Sequence, residues 1–225
     1  MVVFVMNLSR EQCKTLKTLV DMLDVVRYGD MDPFFHQFVR EHVYEMRKLA
    51  SVTLSNVKHP FDLNEVEAMI NVHDLPEFTL KQDFTAWEQA QNPKIGKFKE
   101  QQEHCTMLEF KKFYGEWIYD FWRQYEDQKT DMARFVRWLD KYESYIYVID
   151  KLVVHDTKYE SVGGENIPIT TLLEYNTKRM IDATLRCPMM QEVTLGRLNE
   201  LRTIFKKQNL IKQWHSFIAE LTQLG

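Results

Sequence analysis

The chain has 225 residues and is 44% hydrophobic and 13% aromatic, too apolar for a disordered segment and long enough to bury a substantial core. Its seven glycines argue against dinucleotide-binding and phosphate-cradling α/β folds. Twenty-nine Lys and Arg against 33 Asp and Glu give a net charge of −4, so there is no overall basic excess to attract nucleic acid.

The opening MVVFVM is apolar but too short for a signal-peptide core or a membrane span, and reads as a short strand or docking arm. Ser9-x-x-Gln12 is a capping-box pattern. It predicts a helix over about 10–27, with Cys13, Leu16, Leu19, Val20 and Leu23 at helical spacing. Asp32-Pro33 predicts the start of a second helix to about residue 50, carrying Phe35, Phe38, Val39, Val43 and Met46. Residues 51–61 read as a loop. Asp62-x-x-Glu65 and Thr79-x-x-Gln82 each predict a short helix, with Pro76 between them and Asn92-Pro93 ending the second.

From Gly96 to Asp127 no proline appears, and Phe98, Cys105, Leu108, Phe113, Trp117, Phe121 and Tyr125 hold a helical stripe. One helix over 96–127 would be about 48 Å long at 1.5 Å per residue. It must cross the molecule, protrude from it, or break at Gly115. Thr130 or Asp131 caps the next helix, whose buried face is Phe135, Val136, Leu139, Tyr142, Ile146 and Ile149. Around Gly163-Gly164, the stretch 152–168 reads as a small β-hairpin or ordered loop. Thr171-x-x-Glu174 caps a helix that Pro188 ends, and Leu195 onward starts the last helical stretch.

The expected fold is therefore all-α: an irregular multi-helix bundle around one long central helix at about 96–127. It is taken as a single domain over 1–225, with a sub-boundary at 152–168 that separates an N-terminal bundle from the helical segment 169–225.

Chemistry is sparse. His42 and Glu45 are i, i+3 on one predicted helix, and Glu100 and His104 are i, i+4 on another. These four are the metal-ligand candidates, but the Glu-x-x-His motif of di-metal bundles is missing. No nucleophile elbow or P-loop occurs. No catalytic residue and no cofactor is assigned. Phe110, Tyr114, Ile118 and Trp122 form a second apolar line on the long helix, and Tyr145 and Tyr147 lie off the main stripe of theirs. Those six suit a partner interface. Arg197, Arg202, Lys206, Lys207 and Lys212 make a basic C-terminal face for nucleic acid or an acidic partner. Cys13, Cys105 and Cys187 are odd in number and far apart, which fits a reducing, cytoplasmic setting without membrane insertion.

The function expected from these features is non-catalytic. The chain reads as an interaction, assembly or adaptor component of a larger complex, such as a viral or phage particle, with protein partners or self-association. The alternatives are a nucleic-acid-associated helical protein and a helical metalloenzyme.

Overall fold

A computed structural model describes residues 8–29, 31, 35–80, 84–154, 159–162 and 165–223. The expected strand at Val2–Val5, the Asp32-Pro33 helix start and the Gly163-Gly164 turn lie outside these residues, as does Gln82. The fold is all-α, with two small hairpin sheets. The chain divides into two compact units, one of Met1–Gly29 with His36–Val136, the other of Asp30–Phe35 with Arg137–Gly225.

In the first unit α1 spans Arg10–Asp21. Its capping box forms as the sequence requires. The Gln12 amide donates to Ser9 Oγ at 3.2 Å, and the Ser9 amide to Gln12 Oε1 at 2.7 Å. The helix stops short of residue 27 because Val26–Arg27 is taken up as β1, antiparallel to β2 at Gln37–Phe38. Helix α2 then runs Val39–Asn56, through most of the expected loop. Val39, His42, Val43, Met46, Ala50 and Leu54 recur at the spacing of one helical face and are all buried. Asp62 caps α3 (Leu63–Val72), accepting the Asn64 amide at 2.7 Å. Beyond a turn at 73–76 comes the single helical turn α4, Glu77–Leu80. Helix α5 (Ala86–Gln91) is capped by Thr85 and Glu88, not by Thr79.

The long helix of the sequence reading is broken where glycine allows it. Helix α6 covers Pro93–Tyr114, with Asn92 as its cap, and α7 covers Glu116–Asp127. Gly115 between them has φ +99° and ψ 170°, a conformation open essentially to glycine alone. Helix α7 buries Ile118, Phe121, Trp122 and Tyr125, and α3 and α7 pack together in this unit.

Helix α8 (Asp131–Val154) begins in the first unit and continues into the second. The Ala133 amide donates to Thr130 Oγ1 at 3.1 Å, so Thr130 supplies the cap. In the second unit, β3 (Tyr159–Val162) and β4 (Glu165–Pro168) pair antiparallel with Val162 opposite Glu165, the expected hairpin. Helix α9 (Ile169–Arg186) starts directly after Pro168, without the capping box expected at Thr171 and Glu174. A 3-10 turn at Pro188–Met190 leads into α10 (Gln191–Lys207), and α11 (Ile211–Thr222) follows. Trp138, fully buried, centres the packing of α8, α9 and α10, and its indole N–H lies 3.2 Å from both Thr184 Oγ1 and Thr194 Oγ1. Among the described residues no helix is long and apolar enough to cross a membrane.

Candidate metal centre

The first unit places two histidines and a carboxylate together in its interior. His42 comes from the buried face of α2 and is 0% exposed. A histidine there has Val39, Val43 and Met46 for neighbours on its own helix face. His73 is the C-cap of α3, its amide donating to Met69 O at 3.1 Å. Asp74 follows it, where the chain leaves α3 for Pro76 and α4. The helix end thus delivers an imidazole and a carboxylate side by side.

The geometry is specific. Asp74 Oδ2 lies 3.1 Å from His73 Nε2 and 3.7 Å from His42 Nε2. The two imidazole rings are 5.5 Å apart between centroids, and Tyr125 meets His73 edge-on at 5.1 Å. His73 Nδ1 is 2.7 Å from the Ile70 carbonyl oxygen. A carbonyl only accepts, so this contact places a proton on Nδ1 and makes Nε2 the nitrogen available to a metal ion. That Nε2 is buried and makes no hydrogen bond, although a carboxylate oxygen sits 3.1 Å away. An imidazole nitrogen and a carboxylate oxygen held this close can share a proton or a metal cation between them. Imidazole nitrogens with a carboxylate oxygen are the donor set that first-row divalent metals take. Hydrogen bonding of the far ring nitrogen to a backbone carbonyl is the usual way a ligating histidine is oriented. The residues present therefore fit a divalent cation.

The surrounding charge is mostly negative. Glu77, at the start of α4, is 3% exposed. Lys99 reaches Glu77 Oε1 at 3.3 Å and Glu103 Oε1 at 3.6 Å. Burial pushes the Glu103 carboxyl up to about 7, Glu126 and Asp74 add to the rise, and Lys99 opposes it. A carboxyl with a folded pKa above its unfolded one contributes stability at low pH that is lost as pH climbs through the folded value. Glu103→Gln removes that loss. In metal-free protein it is expected to raise unfolding free energy by about 3 kcal/mol at pH 8 and by well under 1 kcal/mol at pH 4.5. Urea unfolding at the two pH values measures the difference. An equal effect at both would contradict the assignment.

A buried carboxylate in the second unit has the same donor chemistry. Asp140 is 5% exposed and stands on α8 one turn beyond Val136. Lys141 Nζ lies 2.5 Å from its Oδ2, and Arg137 3.8 Å from it.

Of the metal-ligand candidates read from the sequence, His42 alone stands in this group. Glu45 is half-buried and ion-paired to Lys48 at 2.7 Å. Glu100 is exposed, and His104 is half-buried against the Tyr119 and Trp122 rings at 5.9 and 6.1 Å. The sequence reading missed His73 and Asp74. Two signals were present: a histidine on the apolar stripe of α2, and an adjacent His-Asp pair at the end of a capped helix.

The remaining candidates are scattered. Ile118, Trp122 and Tyr145 are buried, Phe110 and Tyr147 are half-buried, and Tyr114 is 38% exposed. In the second unit Arg197 pairs with Asp150 and Glu200, and the Arg202 guanidinium lies over Trp214. Lys206 and Lys207 close α10 and Lys212 is on α11, all three exposed.

Comparison with known proteins changes the functional reading. The profile of one family, the HD domain, matches residues 35–180, more than half of the chain. No curated protein matches. A solved structure, described as a predicted metal-dependent phosphohydrolase from Magnetospirillum magnetotacticum MS-1, is similar over 95% of each chain. Its TM-score is 0.53 at 14% identity, so the likeness bears on fold. The family match overturns the non-catalytic expectation, and with it the assembly, adaptor and viral-particle readings. The earlier reading went astray because it sought metal ligands as i, i+3 and i, i+4 pairs on one helix. This centre draws its ligands from separate elements.

Proposed function

We propose that this chain, which belongs to the HD-domain family, is a metal-dependent phosphohydrolase that holds a divalent cation with His42, His73 and Asp74. The observation that carries the reading is the buried His73 Nε2 turned toward an Asp74 oxygen at 3.1 Å while its far ring nitrogen is held by the Ile70 carbonyl. The description of the similar Magnetospirillum protein supplies the reaction class.

A bound divalent ion supplies Lewis acidity toward a phosphoryl oxygen and acidifies water near neutral pH. The chain's own residues do the rest. The Ile70 carbonyl fixes the His73 ring and its tautomer. Burial of both imidazoles excludes bulk water and strengthens every charge interaction there. Asp74, with a side chain 20% exposed, marks the side open to substrate. Lys99 restrains Glu77 and Glu103 against the negative field of the site.

The test is hydrolysis of a phosphomonoester panel, with p-nitrophenyl phosphate as the general probe, by chelator-treated protein resupplied with Mn²⁺, Co²⁺ or Zn²⁺. The expected result is turnover that appears on metal addition and disappears with EDTA. Metal-loaded protein inactive on the whole panel would reject the reaction class. We place the protein in the cytoplasm, a reading supported by the exposed thiols of Cys13 and Cys105.

A further inference from the structure

In the second unit the carboxylates run out where α10 gives way to α11. Residues 201–219 carry Arg202, Lys206, Lys207, Lys212 and His215 but no Asp or Glu, in a chain whose net charge is −4. The acids bordering this stretch are committed elsewhere. Glu200 pairs with Arg197 at 3.1 Å, and Glu220 with Lys178 at 2.5 Å. Among the described residues no carboxylate pairs with Arg202, Lys206, Lys207 or Lys212, and all four are exposed.

Two of these side chains are held on one ring. Trp214 is buried on α11, its indole N–H donating to the Leu198 carbonyl on α10 at 2.8 Å. The Arg202 guanidinium lies over that indole, 5.2 Å from its centroid, and the His215 ring meets it edge-on at 4.9 Å. An anchored indole thus ties a guanidinium of α10 to an imidazole of α11. Stacking on an aromatic ring restricts a guanidinium and leaves its N–H edge free for phosphate oxygens. Lys206 follows Arg202 by four residues and Lys212 precedes His215 by three, so each lysine shares a helix face with one of the pair. Lys207 does not, since five residues carry it about 140° around α10 from Arg202.

Helix energetics account for the lysines of α10 but not for the one on α11. Lys206 and Lys207 close α10, where a cation offsets the negative end of the helix dipole. Lys212 stands in the first turn of α11, the positive end, and that turn has neither an acidic residue nor a side-chain cap. Its charge opposes the fold there and adds to the field of the uncapped amides, an arrangement suited to an anion. The occupant is not a protein surface. Among the described residues every exposed large hydrophobic lies in the first unit, whereas protein interfaces are built on buried aromatic and aliphatic anchors. A run of phosphates with bases to stack calls instead for guanidinium, ammonium and an exposed ring.

We propose that Arg202, Lys206, Lys212 and His215 form a binding face for single-stranded nucleic acid, with the three cations on backbone phosphates and the His215 ring against a base. The experiment is fluorescence anisotropy with a labelled oligodeoxythymidylate, in EDTA so that no hydrolysis intervenes. A duplex of the same length and phosphatidylserine vesicles are titrated beside it, and thermal melting is recorded for each variant. Wild type should bind the single strand, with log Kd rising by about 2 per tenfold increase in salt, the counterion release from three neutralised phosphates. Arg202→Met, Lys206→Met and Lys212→Met should each weaken binding about tenfold and reduce that slope by about 0.7. His215→Ala should weaken it about fivefold, the low end for a stacked base. Lys207→Met, an equal loss of charge off this face, should stay within about threefold of wild type. Lys212→Met should melt no lower than wild type, because the charge it removes opposes the helix dipole. Should Arg202→Met, which gives up its Trp214 contact, fail to fold, Lys206→Met and Lys212→Met decide. Affinity unchanged in those variants would overturn the face, as would an equal loss in Lys207→Met, tighter binding of the duplex or of the vesicles, or a wild type that binds no single strand at low salt. None of these outcomes touches the metal reading, which rests on the first unit alone.

Discussion

Asp74→Asn is expected to abolish stoichiometric Mn²⁺ binding and to lower phosphomonoester hydrolysis by about a thousandfold, since Lewis-acid stabilisation is worth several kcal/mol. The substitution keeps the shape of the side chain and removes its charge. It also converts an acceptor into a donor. In the metal-free protein the new amide can donate to a neutral imidazole at His73 Nε2, the atom that faces the Asp74 carboxylate at 3.1 Å. The metal-free variant should therefore be more stable than metal-free wild type, by about 1 kcal/mol. Metal content by atomic emission, turnover of p-nitrophenyl phosphate and thermal melting check the three parts. The opposite signs distinguish a cation site from a structural ion pair. If Asp74 merely paired with a protonated histidine, Asp74→Asn would destabilise the protein and leave metal content unaffected.

Trp138→Ala is expected to remove about 3–5 kcal/mol of stability, the range for truncating a fully buried large aromatic. Trp138 is 0% exposed and stacks on Tyr142, with ring centroids 4.6 Å apart. Its N–H is shared between two threonine hydroxyls that are themselves 2.9 Å apart. Trp138→Phe keeps most of the apolar bulk and loses the N–H. The threonine pair retains its mutual hydrogen bond, so this variant should lose only about 1–2 kcal/mol. Against a typical total of 5–15 kcal/mol, the alanine variant should melt about ten degrees lower and the phenylalanine variant only a few. An alanine variant within 1 kcal/mol of wild type would refute the role assigned to Trp138.

Local structure was legible wherever a local interaction decides it. Ser9 with Gln12, Asp62 and Thr130 all cap helices as their side-chain chemistry predicts. Gly115 breaks the long apolar stripe because the connection there needs a positive φ. Thr171 with Glu174 misled because Pro168, ending β4, sets the start of α9 by backbone geometry alone. Residues 26–38 were misjudged for a related reason. Two short strands there depend on each other, and neither segment shows a period of its own.

The metal centre was less legible. His42 sits at a stripe position that an apolar residue would ordinarily fill, and its neighbour Glu45 drew attention to the exposed side of the same helix. His73 and Asp74 are adjacent, a spacing that points side chains apart within a helix and together only at a helix end. Their meeting with His42 depends on how α3 packs against α2, which no pattern within one helix encodes. The aromatic line on α6 and α7 carried a similar ambiguity. Ile118 and Trp122 lie inside the protein while Tyr114 and Phe113 face solvent, on either side of the Gly115 break.

The most direct measurement is anomalous diffraction from crystals of the protein grown with Mn²⁺. The account predicts a single strong peak at coordination distance, about 2.0–2.3 Å, from His42 Nε2, His73 Nε2 and an Asp74 carboxylate oxygen. Well-ordered crystals with no peak at those three atoms, or with manganese bound only elsewhere, would contradict it.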